Sequence, residues 1–213
     1  MNTAFNPGIY LINKPRGRSS FSIVAQVRRL SGIKKVGHAG TLDPEAEGLL
    51  IVLVGKEFTK KSDDFLKLPK TYEFSVKLGE ISSTGDEEGE KTQISTKKPA
   101  KAAIETSLKG FTGQISQTPP KYSAIKINGQ RAYKLAREGK EVALKQRKVT
   151  ISRLEILSYK YPNLSLVADV SSGTYIRSLA EDIGSTLGTG AYCTDIKRIQ
   201  IGKYSLSNAI TLE

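Results

Sequence analysis

The sequence predicts an α+β fold in which helices flank a mixed, mainly antiparallel sheet. Two long β-like stretches, 149–161 and 164–172, follow each other closely along the chain. Strand-like and helix-like segments alternate without the regular strand–helix–strand repeat that builds a doubly wound parallel sheet. At 213 residues the chain is long enough to bury a substantial core, so we expect one domain spanning residues 1–213.

The N-terminal part of the chain gives the clearest element boundaries. Apolar residues at 9–12 predict a short buried strand, and a turn at 14–17 ends it. Ser19 or Ser20 is then positioned to cap a helix that stops at Gly32. The apolar residues that recur at helical spacing in this segment are Ile23, Val24, Val27 and Leu30.

The next segment is a loop rich in small residues at 36–44, followed by an apolar strand at 49–54. This is an unusual place for a lone acid, Asp43. The other expected elements are a half-buried strand at 72–78, an exposed acidic turn at 86–90, a helix at 100–108, a hairpin at 122–127 with its turn at 128–129, a basic helix at 131–137 and a helix at 176–183.

The charge of the chain favours a polyanionic partner. Lys and Arg number 33 against 21 Asp and Glu, which gives a net charge of +12. Residues 1–42 contain seven basic residues and no acid, and residues 121–148 contain nine basic residues and two acids. Neutralising phosphates releases counterions, so nucleic acid is favoured over an anionic membrane. Each basic segment taken alone could also be a solvated surface.

Several classes of function are excluded by what the sequence lacks. A single cysteine, Cys193, and a single histidine, His38, cannot supply a disulfide or a Cys/His zinc cluster. No phosphate-binding P-loop, GxGxxG, GxSxG or HExxH motif is present. No secretory signal or membrane-spanning stretch is visible either. We therefore expect a cytoplasmic protein without a metal or a cofactor, whose chemistry uses carboxylates, hydroxyls and basic groups.

Two motifs carry a resemblance to a known family. Residues 14–20 read KPRGRSS and residues 37–44 read GHAGTLDP, followed by Ala46 and Gly48. They are similar to the KPxGxSS motif, and to the GHxGxLDPxAxG signature around the catalytic aspartate, of the TruB-type tRNA pseudouridine-55 synthases. Shorter segments match that family in the same order, at 70–72, 78–79, 84–89, 119–124 and 173–179. The resemblance covers nearly the whole chain and implies a pseudouridine synthase-like sheet and the isomerisation of a flipped-out uridine in the T-arm of tRNA.

This reaction defines what the site must contain. The bond between uracil N1 and ribose C1′ breaks, the base turns, and C5 joins C1′, with no net redox change and no need for a cofactor. A carboxylate is needed either as the nucleophile at C1′ or as the base that removes the C2′ proton, and the sequence leaves both open. The resemblance gives this role to Asp43. The alternative is that an Asp before Pro only forms a turn or caps a helix.

Two further catalytic residues follow from the resemblance. Arg177 is implied to pair with Asp43 and keep it ionised, since an adjacent arginine lowers the pKa of an aspartate by about 1–3 units. Its alternative role is a phosphate contact or a solvated helix position. Tyr72 is implied to stack on the extruded base, where base stacking contributes roughly 1–3 kcal/mol. Its alternative role is to pack at the edge of the core.

The resemblance also implies supporting residues. His38 would lie beside the flipped nucleotide and stabilise the altered RNA loop, although it could equally be a hydrogen-bonded loop residue. Tyr175 would pack beneath the site. Asp86 would orient the base, although it could instead only form a turn. Lys14 would help to arrange the loops. The remaining candidate substrate-binding residues are Gly40 and Arg198.

Two departures from the family pattern affect these expectations. Ser83 stands where the family often has an acid, and the chain stops at Glu213, where many relatives continue into a small RNA-binding PUA domain. We therefore expect a basic RNA-gripping insertion around 114–148 to be the main clamp on tRNA, and the protein to be a monomer. The alternatives to a tRNA enzyme are a non-catalytic RNA-binding protein that kept the fold and a synthase that acts on another RNA.

Overall fold

The computed structural model describes residues 5–123, 126–127, 129–132, 135, 138 and 144–212. It divides into two compact units. Unit 1 comprises Met1–Glu73 and Ile196–Glu213, and unit 2 comprises Phe74–Asp195. The boundaries between the units fall inside two strands. Unit 2 is one continuous segment, whereas unit 1 combines the two ends of the chain.

The helices are α1 (Ser20–Ser31), α2 (Lys56–Thr59), α3 (Ser62–Leu66), α4 (Lys101–Lys109) and α5 (Ile176–Leu187). The strands are β1 (Gly8–Lys14), β2 (Val36–His38), β3 (Glu47–Val54), β4 (Lys70–Leu78), β5 (Glu80–Ser82), β6 (Lys91–Gln93), β7 (Gly113–Gln117), β8 (Lys126–Ile127), β9 (Gln130–Arg131), β10 (Arg147–Lys160), β11 (Asn163–Val170), β12 (Ala191–Ile201) and β13 (Tyr204–Ser205).

Strand β3 is the centre of unit 1. It pairs antiparallel with β1 along their whole length and antiparallel with β2, and it pairs parallel with the last part of β12. One of its faces packs with α1 through an apolar cluster, and the other packs with Phe65 and Ile201. Because both faces are covered, β3 is a continuous apolar run with no polar alternation.

Helix α1 begins and ends at the predicted residues. Ser19 is its N-cap, and the Ser19 hydroxyl accepts a hydrogen bond from the backbone N–H of Ser22 at 3.0 Å. Gly32 ends the helix in the left-handed conformation, with φ of 67°. Ile23, Val24 and Val27 are buried, whereas the predicted fourth core residue, Leu30, is exposed. Leu30 lies at the last turn, where the helix passes the end of the apolar cluster.

Unit 2 contains a four-stranded path in the order β4–β11–β10–β7. The β10–β11 hairpin is its longest pairing, from Ile151 opposite Val170 to Lys160 opposite Asn163. Strand β7 adds to the N-terminal end of β10 in antiparallel register. Two small hairpins, β5–β6 and β8–β9, lie outside this path, and α4 lies against α5 and β10. Antiparallel pairs dominate both units, which confirms the predicted α+β class.

Some elements are absent from the sequence prediction. The 36–44 segment starts with a short strand, β2, instead of being loop throughout. The eleven-residue strand β12 is also missing from it, because charged residues within 191–201 mask its alternation. The predicted hairpin after Tyr122 is present as β8–β9. Most of the expected basic helix at 131–137, and part of the expected RNA-gripping insertion around 114–148, lie outside the described residues. The role of the insertion and the one-domain organisation stay predictions.

Candidate active site

The loop that carries Asp43 joins β2 to β3 in unit 1. Three backbone hydrogen bonds fix its path: Ala39 N–H donates to Ile51 O at 2.9 Å, Gly17 N–H donates to Pro44 O at 2.9 Å, and Ala46 N–H donates to Asp43 O at 3.1 Å. The Asp43 side chain is half-buried. A loop of small residues therefore holds a partly accessible carboxylate on a main chain that is tied down on both sides.

Lys14 is a fully buried cation under this loop. Its Nζ donates to Pro15 O at 2.9 Å, Arg18 O at 2.6 Å and Pro44 O at 3.0 Å. Burial lowers the pKa of Lys14 to about 8, against the opposing attraction of nearby acids that include Asp43. Lys14 thus joins the turn at 15–18 to the Asp43 loop. Its role in arranging the loops for substrate stays a prediction.

Ser20 makes a second connection between α1 and the same loop. Its hydroxyl donates to Leu42 O at 3.0 Å, and the Leu42 N–H donates back to the hydroxyl oxygen at 2.9 Å. Both main-chain groups of the residue before Asp43 are therefore satisfied by one buried side chain. The backbone at Asp43 is positioned by the first turn of α1 as well as by Lys14.

Arg198 braces the loop from β12 and is only 1% exposed. Its Nε donates to Leu49 O at 2.8 Å, and its Nη2 donates to Gly40 O at 3.0 Å. Its Nη1 lies 3.4 Å from Thr41 O and 3.4 Å from the Tyr72 hydroxyl oxygen. A candidate substrate-binding arginine is thus engaged with the main chain of the Asp43 loop, and a direct contact with RNA stays a prediction.

Two glycines permit this arrangement. Gly40 has φ of 100° and lies next to the Arg198 guanidinium, where an added Cβ would be 3.7 Å from Nη1. Gly48 pairs with Arg198 in the parallel β3–β12 register, and an added Cβ would be 2.3 Å from Arg198 O. A side chain at position 48 would therefore push β12 away from β3 and move Arg198 with it.

Tyr72 is 8% exposed, and its hydroxyl accepts from the same guanidinium that supports the loop. His38 lies on β2, and its pKa is lowered, first by burial and then by the positive charge of Arg198. Its Nδ1 is buried and has no hydrogen-bond partner among the residues that the structure describes. A neutral imidazole with an unsatisfied ring nitrogen can accept or donate one hydrogen bond, but it is not a cation for phosphate.

Lys70 is a buried residue of unit 1 that sequence reasoning missed as a site residue. Its Nζ donates to Leu66 O at 2.5 Å and to Leu68 O at 2.7 Å. Burial, and then the charge of Arg198, lower the pKa of Lys70 to about 8. The sequence placed Lys70 in a matching segment, but nothing in the spacing signals that its ammonium group is buried.

In unit 2, Arg177 lies in the first turn of α5 and is 4% exposed. Its Nη1 donates to Thr84 O at 3.0 Å and lies 3.2 Å from Asp86 Oδ2, and its Nη2 donates to Tyr122 O at 2.9 Å. The other oxygen of Asp86 accepts from the Thr84 hydroxyl and from Glu88 N–H at 3.1 Å. Asp86 is therefore an ion-pair partner of Arg177 as well as a turn residue.

Tyr175 precedes α5 and is held by an amide that the sequence did not single out. The Tyr175 N–H donates to Gln117 Oε1 at 2.8 Å, and Gln117 Nε2 donates to Tyr175 O at 3.0 Å. The guanidinium carbon of Arg147 lies 5.4 Å from the centroid of the Tyr175 ring. The fully buried Gln117 thus sets the backbone direction from which Arg177 projects.

A second carboxyl group lies near the Arg177–Asp86 pair. An added Cβ on Gly85, which has φ of +75°, would be 2.7 Å from Glu181 Oε1. Burial is the main cause that raises the pKa of Glu181; Asp182 and Asp86 raise it further and Arg177 lowers it. Cys193 donates its N–H to Gly85 O at 3.0 Å, and burial raises the pKa of its thiol, so it is not a reactive nucleophile.

The structure therefore forms two clusters from the candidate residues. In unit 1 it brings together Lys14, Gly40, Asp43, Tyr72 and Arg198, with His38 on the strand that leads into the loop. In unit 2 it brings Arg177 to Asp86, two residues after Tyr175. The expected Asp43–Arg177 pair involves one residue of each unit and stays a prediction. In the described part of the chain, no group of His, Cys, Asp and Glu could hold a metal ion, and no helix has the length and apolarity needed to cross a bilayer.

Comparison with known proteins identifies the family of the chain. Residues 28–176 match the family model described as TruB family pseudouridylate synthase, N terminal domain. A protein named tRNA pseudouridine synthase B from Chlamydia trachomatis serovar L2 is 40% identical over 203 residues, which is 95% of this chain and 84% of that protein. One of the same name from Pseudomonas fluorescens strain Pf0-1 is 46% identical over 206 residues, 97% of this chain and 67% of that protein.

A solved structure also has a similar fold. One chain of a Cbf5–Nop10–Gar1 complex matches with a TM-score of 0.74 and 27% sequence identity. The match covers 96% of this chain and 52% of that chain, so the present sequence spans about half the length of that structural relative.

Proposed function

Because the chain belongs to the TruB family of pseudouridylate synthases, and is therefore an isomerase, we propose that it converts a flipped-out uridine in the T-arm of tRNA to pseudouridine, with Asp43 as the catalytic carboxylate. The relatives that match almost its whole length are named tRNA pseudouridine synthase B, which supports tRNA as the substrate. The observation that carries the assignment to Asp43 is the bracing of its loop by Lys14, Ser20 and Arg198.

That bracing suits catalysis at a sugar carbon. A carboxylate that attacks C1′, or removes the C2′ proton, must be held at short range and in one orientation while the base turns. Main-chain hydrogen bonds on both sides of Asp43 fix the backbone from which its side chain projects. Both mechanistic roles of Asp43 remain open.

The proposed role of Tyr72 rests on its link to the same brace. A base taken out of the RNA stack loses stacking energy, and an aromatic ring restores part of it. The hydroxyl of Tyr72 is bound to Arg198, which also holds Gly40 and Thr41 of the Asp43 loop. The ring and the carboxylate loop are thus fixed by one guanidinium, so a base on Tyr72 would have its ribose near Asp43.

Arg177 is the proposed counter-ion of Asp43 in the assembled site. Its contacts with Thr84, Asp86 and Tyr122 orient the guanidinium without a cost in side-chain entropy at the time of reaction. Tyr175 would pack beneath the base, and a neutral His38 would lie beside the flipped nucleotide. The reaction moves no electrons to or from the enzyme, so these residues need no cofactor.

RNA binding outside the catalytic pocket is assigned to the basic insertion around 114–148, which would grip the T-arm within one catalytic domain spanning residues 1–213. We place the reaction in the cytoplasm, where tRNA is modified and used, and we take the monomer as the active form. Light scattering on the protein with and without tRNA tests the monomer, since a monomer should give a 1:1 complex.

The direct test of the proposed function is a turnover assay on an unmodified tRNA transcript. After incubation with purified protein, pseudouridine is mapped by carbodiimide labelling and primer extension. We expect one modified position, in the T-arm, and none in a matched transcript whose T-arm uridine is replaced by cytidine. Modification of another position would contradict the T-arm assignment, and no modification would support a non-catalytic RNA-binding protein.

A further inference from the structure

The solvent-facing side of α1 carries an aromatic side chain that the core does not use. Phe21 is 68% exposed, the largest exposed fraction among the bulky apolar side chains that the structure describes. The opposite side of the helix buries Ile23, Val24 and Val27 in the apolar cluster of unit 1. A phenyl ring left in water forgoes the favourable free energy that burial would contribute. Phe21 is therefore free to stack on a partner.

Basic side chains extend from Phe21 towards both ends of the helix. Arg18 precedes the helix, and its Nη1 is held by Gln26 Oε1 at 2.7 Å. Arg29 lies two turns beyond Phe21 on the exposed side, and Lys34 and Lys35 follow the helix end, all three exposed. Among the residues that the structure describes, these last three form no ion pair. The surface thus combines one exposed ring with unpaired positive charge.

A role in helix stability explains only part of this surface. Arg28 and Arg29 lie in the last turn of α1, where cations interact favourably with the helix dipole. That effect falls off within one turn, so it does not account for Lys34 and Lys35 beyond the end of the helix. It also does not account for Phe21, which lies at the opposite end of the helix.

The same helix is attached to the catalytic loop within unit 1. Ser20, next to Phe21, exchanges two hydrogen bonds with Leu42, the residue before Asp43. Any polymer that docks on Phe21 is therefore held at a fixed position relative to the Asp43 loop. A docking surface with this attachment would align a long substrate with the catalytic carboxylate.

We propose that the exposed side of α1 is a second RNA-docking surface, on which Arg29, Lys34 and Lys35 contact phosphodiesters while Phe21 stacks on an unpaired base. The inference rests on the proposed tRNA substrate and adds a contact outside both the catalytic pocket and the basic insertion. RNA fits better than an anionic lipid surface, because a single exposed ring between cations matches a base between phosphates. Membrane insertion would instead favour several apolar side chains along one face.

The test compares Phe21→Ala and the double variant Arg29→Gln/Lys34→Gln with the wild-type chain. The dissociation constant for tRNA is measured by fluorescence anisotropy from 50 to 300 mM salt, and KM is measured with the turnover assay. We expect Phe21→Ala to weaken binding by about five- to a hundredfold with little change in the salt slope. The double variant should lower the slope of log affinity against log salt by roughly two.

A matched control variant is Lys56→Gln/Lys60→Gln, which removes two exposed charges of the same unit, one in the first residue of α2 and one just after its end. It should leave both the salt slope and KM unchanged. Circular dichroism melting of every variant separates a lost contact from a lost fold. The inference is overturned if Phe21→Ala binds tRNA with wild-type affinity. It is also overturned if the control lowers the salt slope as much as the double variant Arg29→Gln/Lys34→Gln does.

Two further outcomes are distinguishable. If Phe21→Ala keeps its tRNA affinity but no longer sediments with phosphatidylglycerol vesicles that the wild-type chain binds, the surface docks on lipid and the inference is wrong. If the wild-type chain binds tRNA without making pseudouridine, the proposed function fails, whereas the docking surface is still decided by the affinities.

Discussion

Arg177 is a buried cation whose charge is matched in unit 2 by the Asp86 carboxylate at 3.2 Å. Two of its remaining donors bind the main-chain carbonyls of Thr84 and Tyr122. A buried charge with such partners is oriented, and removing one partner leaves an uncompensated charge in a poorly solvated place. Asp86 is therefore expected to act on the reaction through Arg177 as a positioning residue.

The variant Asp86→Asn tests this pairing. The amide keeps the shape of the carboxylate but removes its charge, so we expect a loss of about 1–3 kcal/mol in the free energy of unfolding. Turnover at saturating tRNA should fall at least about tenfold, because a misdirected guanidinium supports the site less well. Urea denaturation and kcat measure the two effects.

The control is Glu88→Gln, an exposed acid in the same turn. It should match the wild-type chain in both measurements. An Asp86→Asn protein with normal stability and normal kcat would show that the ion pair does not position Arg177.

The residues that the sequence identified are those that stand in motifs. Asp43 and Arg177 were found through the loop signature and the Gly-Thr-Tyr segment. Lys70 and Gln117 were missed, because their importance lies in burial and in hydrogen bonds to main chain that is distant in sequence. The brace formed by Arg198 is likewise invisible in the sequence, since Gly40 O lies 158 residues away from it along the chain.

At the scale of elements, the parallel pairing of β3 with β12 positions Arg198, whose guanidinium binds the main chain of the Asp43 loop. Gly48 and Arg198 face each other in this register, and Gly48 has φ of 104°. The close approach leaves no room for a Cβ, because Arg198 O would be 2.3 Å from it. The close approach of β3 and β12 therefore requires glycine at position 48, because the methyl group of an alanine would not fit there.

We predict that Gly48→Ala destabilises the protein more than Gly113→Ala does. Gly113 has a similar φ of +98°, but no atom lies within 4 Å of its added Cβ, so it reports the backbone strain alone. The crowding at position 48 should add about 1–3 kcal/mol to that strain. Chemical denaturation of both variants measures the difference, and equal losses would show that the β3–β12 approach tolerates a side chain.

Glu181 in helix α5 is expected to make the free energy of unfolding depend on pH. Burial raises the pKa of Glu181 above its ordinary value of 4.5, so the folded chain holds this proton more tightly than the unfolded chain does. The stability that this proton contributes is present at low pH and is lost as pH rises from about 4.5 through the raised pKa. Glu181→Gln mimics the protonated group and should avoid that loss.

The melting temperatures of Glu181→Gln and the wild-type chain are therefore compared from pH 4.5 to 7.5. The variant should gain on the wild-type chain as pH rises, until Glu181 is fully ionised in the folded protein. A difference that stays constant, or that shrinks with rising pH, would contradict the burial of this carboxyl.

The elements that were predicted, and the one that was missed, show which structural features can be recognised from local sequence. Helix α1 was predicted with its caps because its stop signals are local. Strands β10 and β11 were predicted as two long extended stretches, whereas their pairing as a hairpin is a finding of the structure. Strand β12 was missed, because it carries the charged residues Lys197 and Arg198, whose partners belong to β3. Whether such a segment forms a strand depends on its pairing with other strands in the tertiary structure, and not on its local propensity.

At the scale of the whole molecule, the excess of 33 basic over 21 acidic residues implies binding dominated by phosphate contacts. A protein that contacts about 6–10 phosphates loses about 10³–10⁵ in affinity between 50 and 200 mM salt. We predict a fall of this order for tRNA, measured by filter binding across that range. An affinity that is flat in salt would contradict an interface built from the basic segments.

The central claim is that Asp43 performs the chemistry while other residues hold the RNA. Single-turnover formation of pseudouridine in tRNA, with enzyme in excess, compares Asp43→Asn with the wild-type chain and with Glu45→Gln, whose acid lies two residues away and pairs with Arg16. The account predicts that Asp43→Asn is slower by at least about a thousandfold while it binds tRNA within about threefold of normal, and that Glu45→Gln reacts normally. An Asp43→Asn protein that reacted within tenfold of the wild-type rate would contradict it.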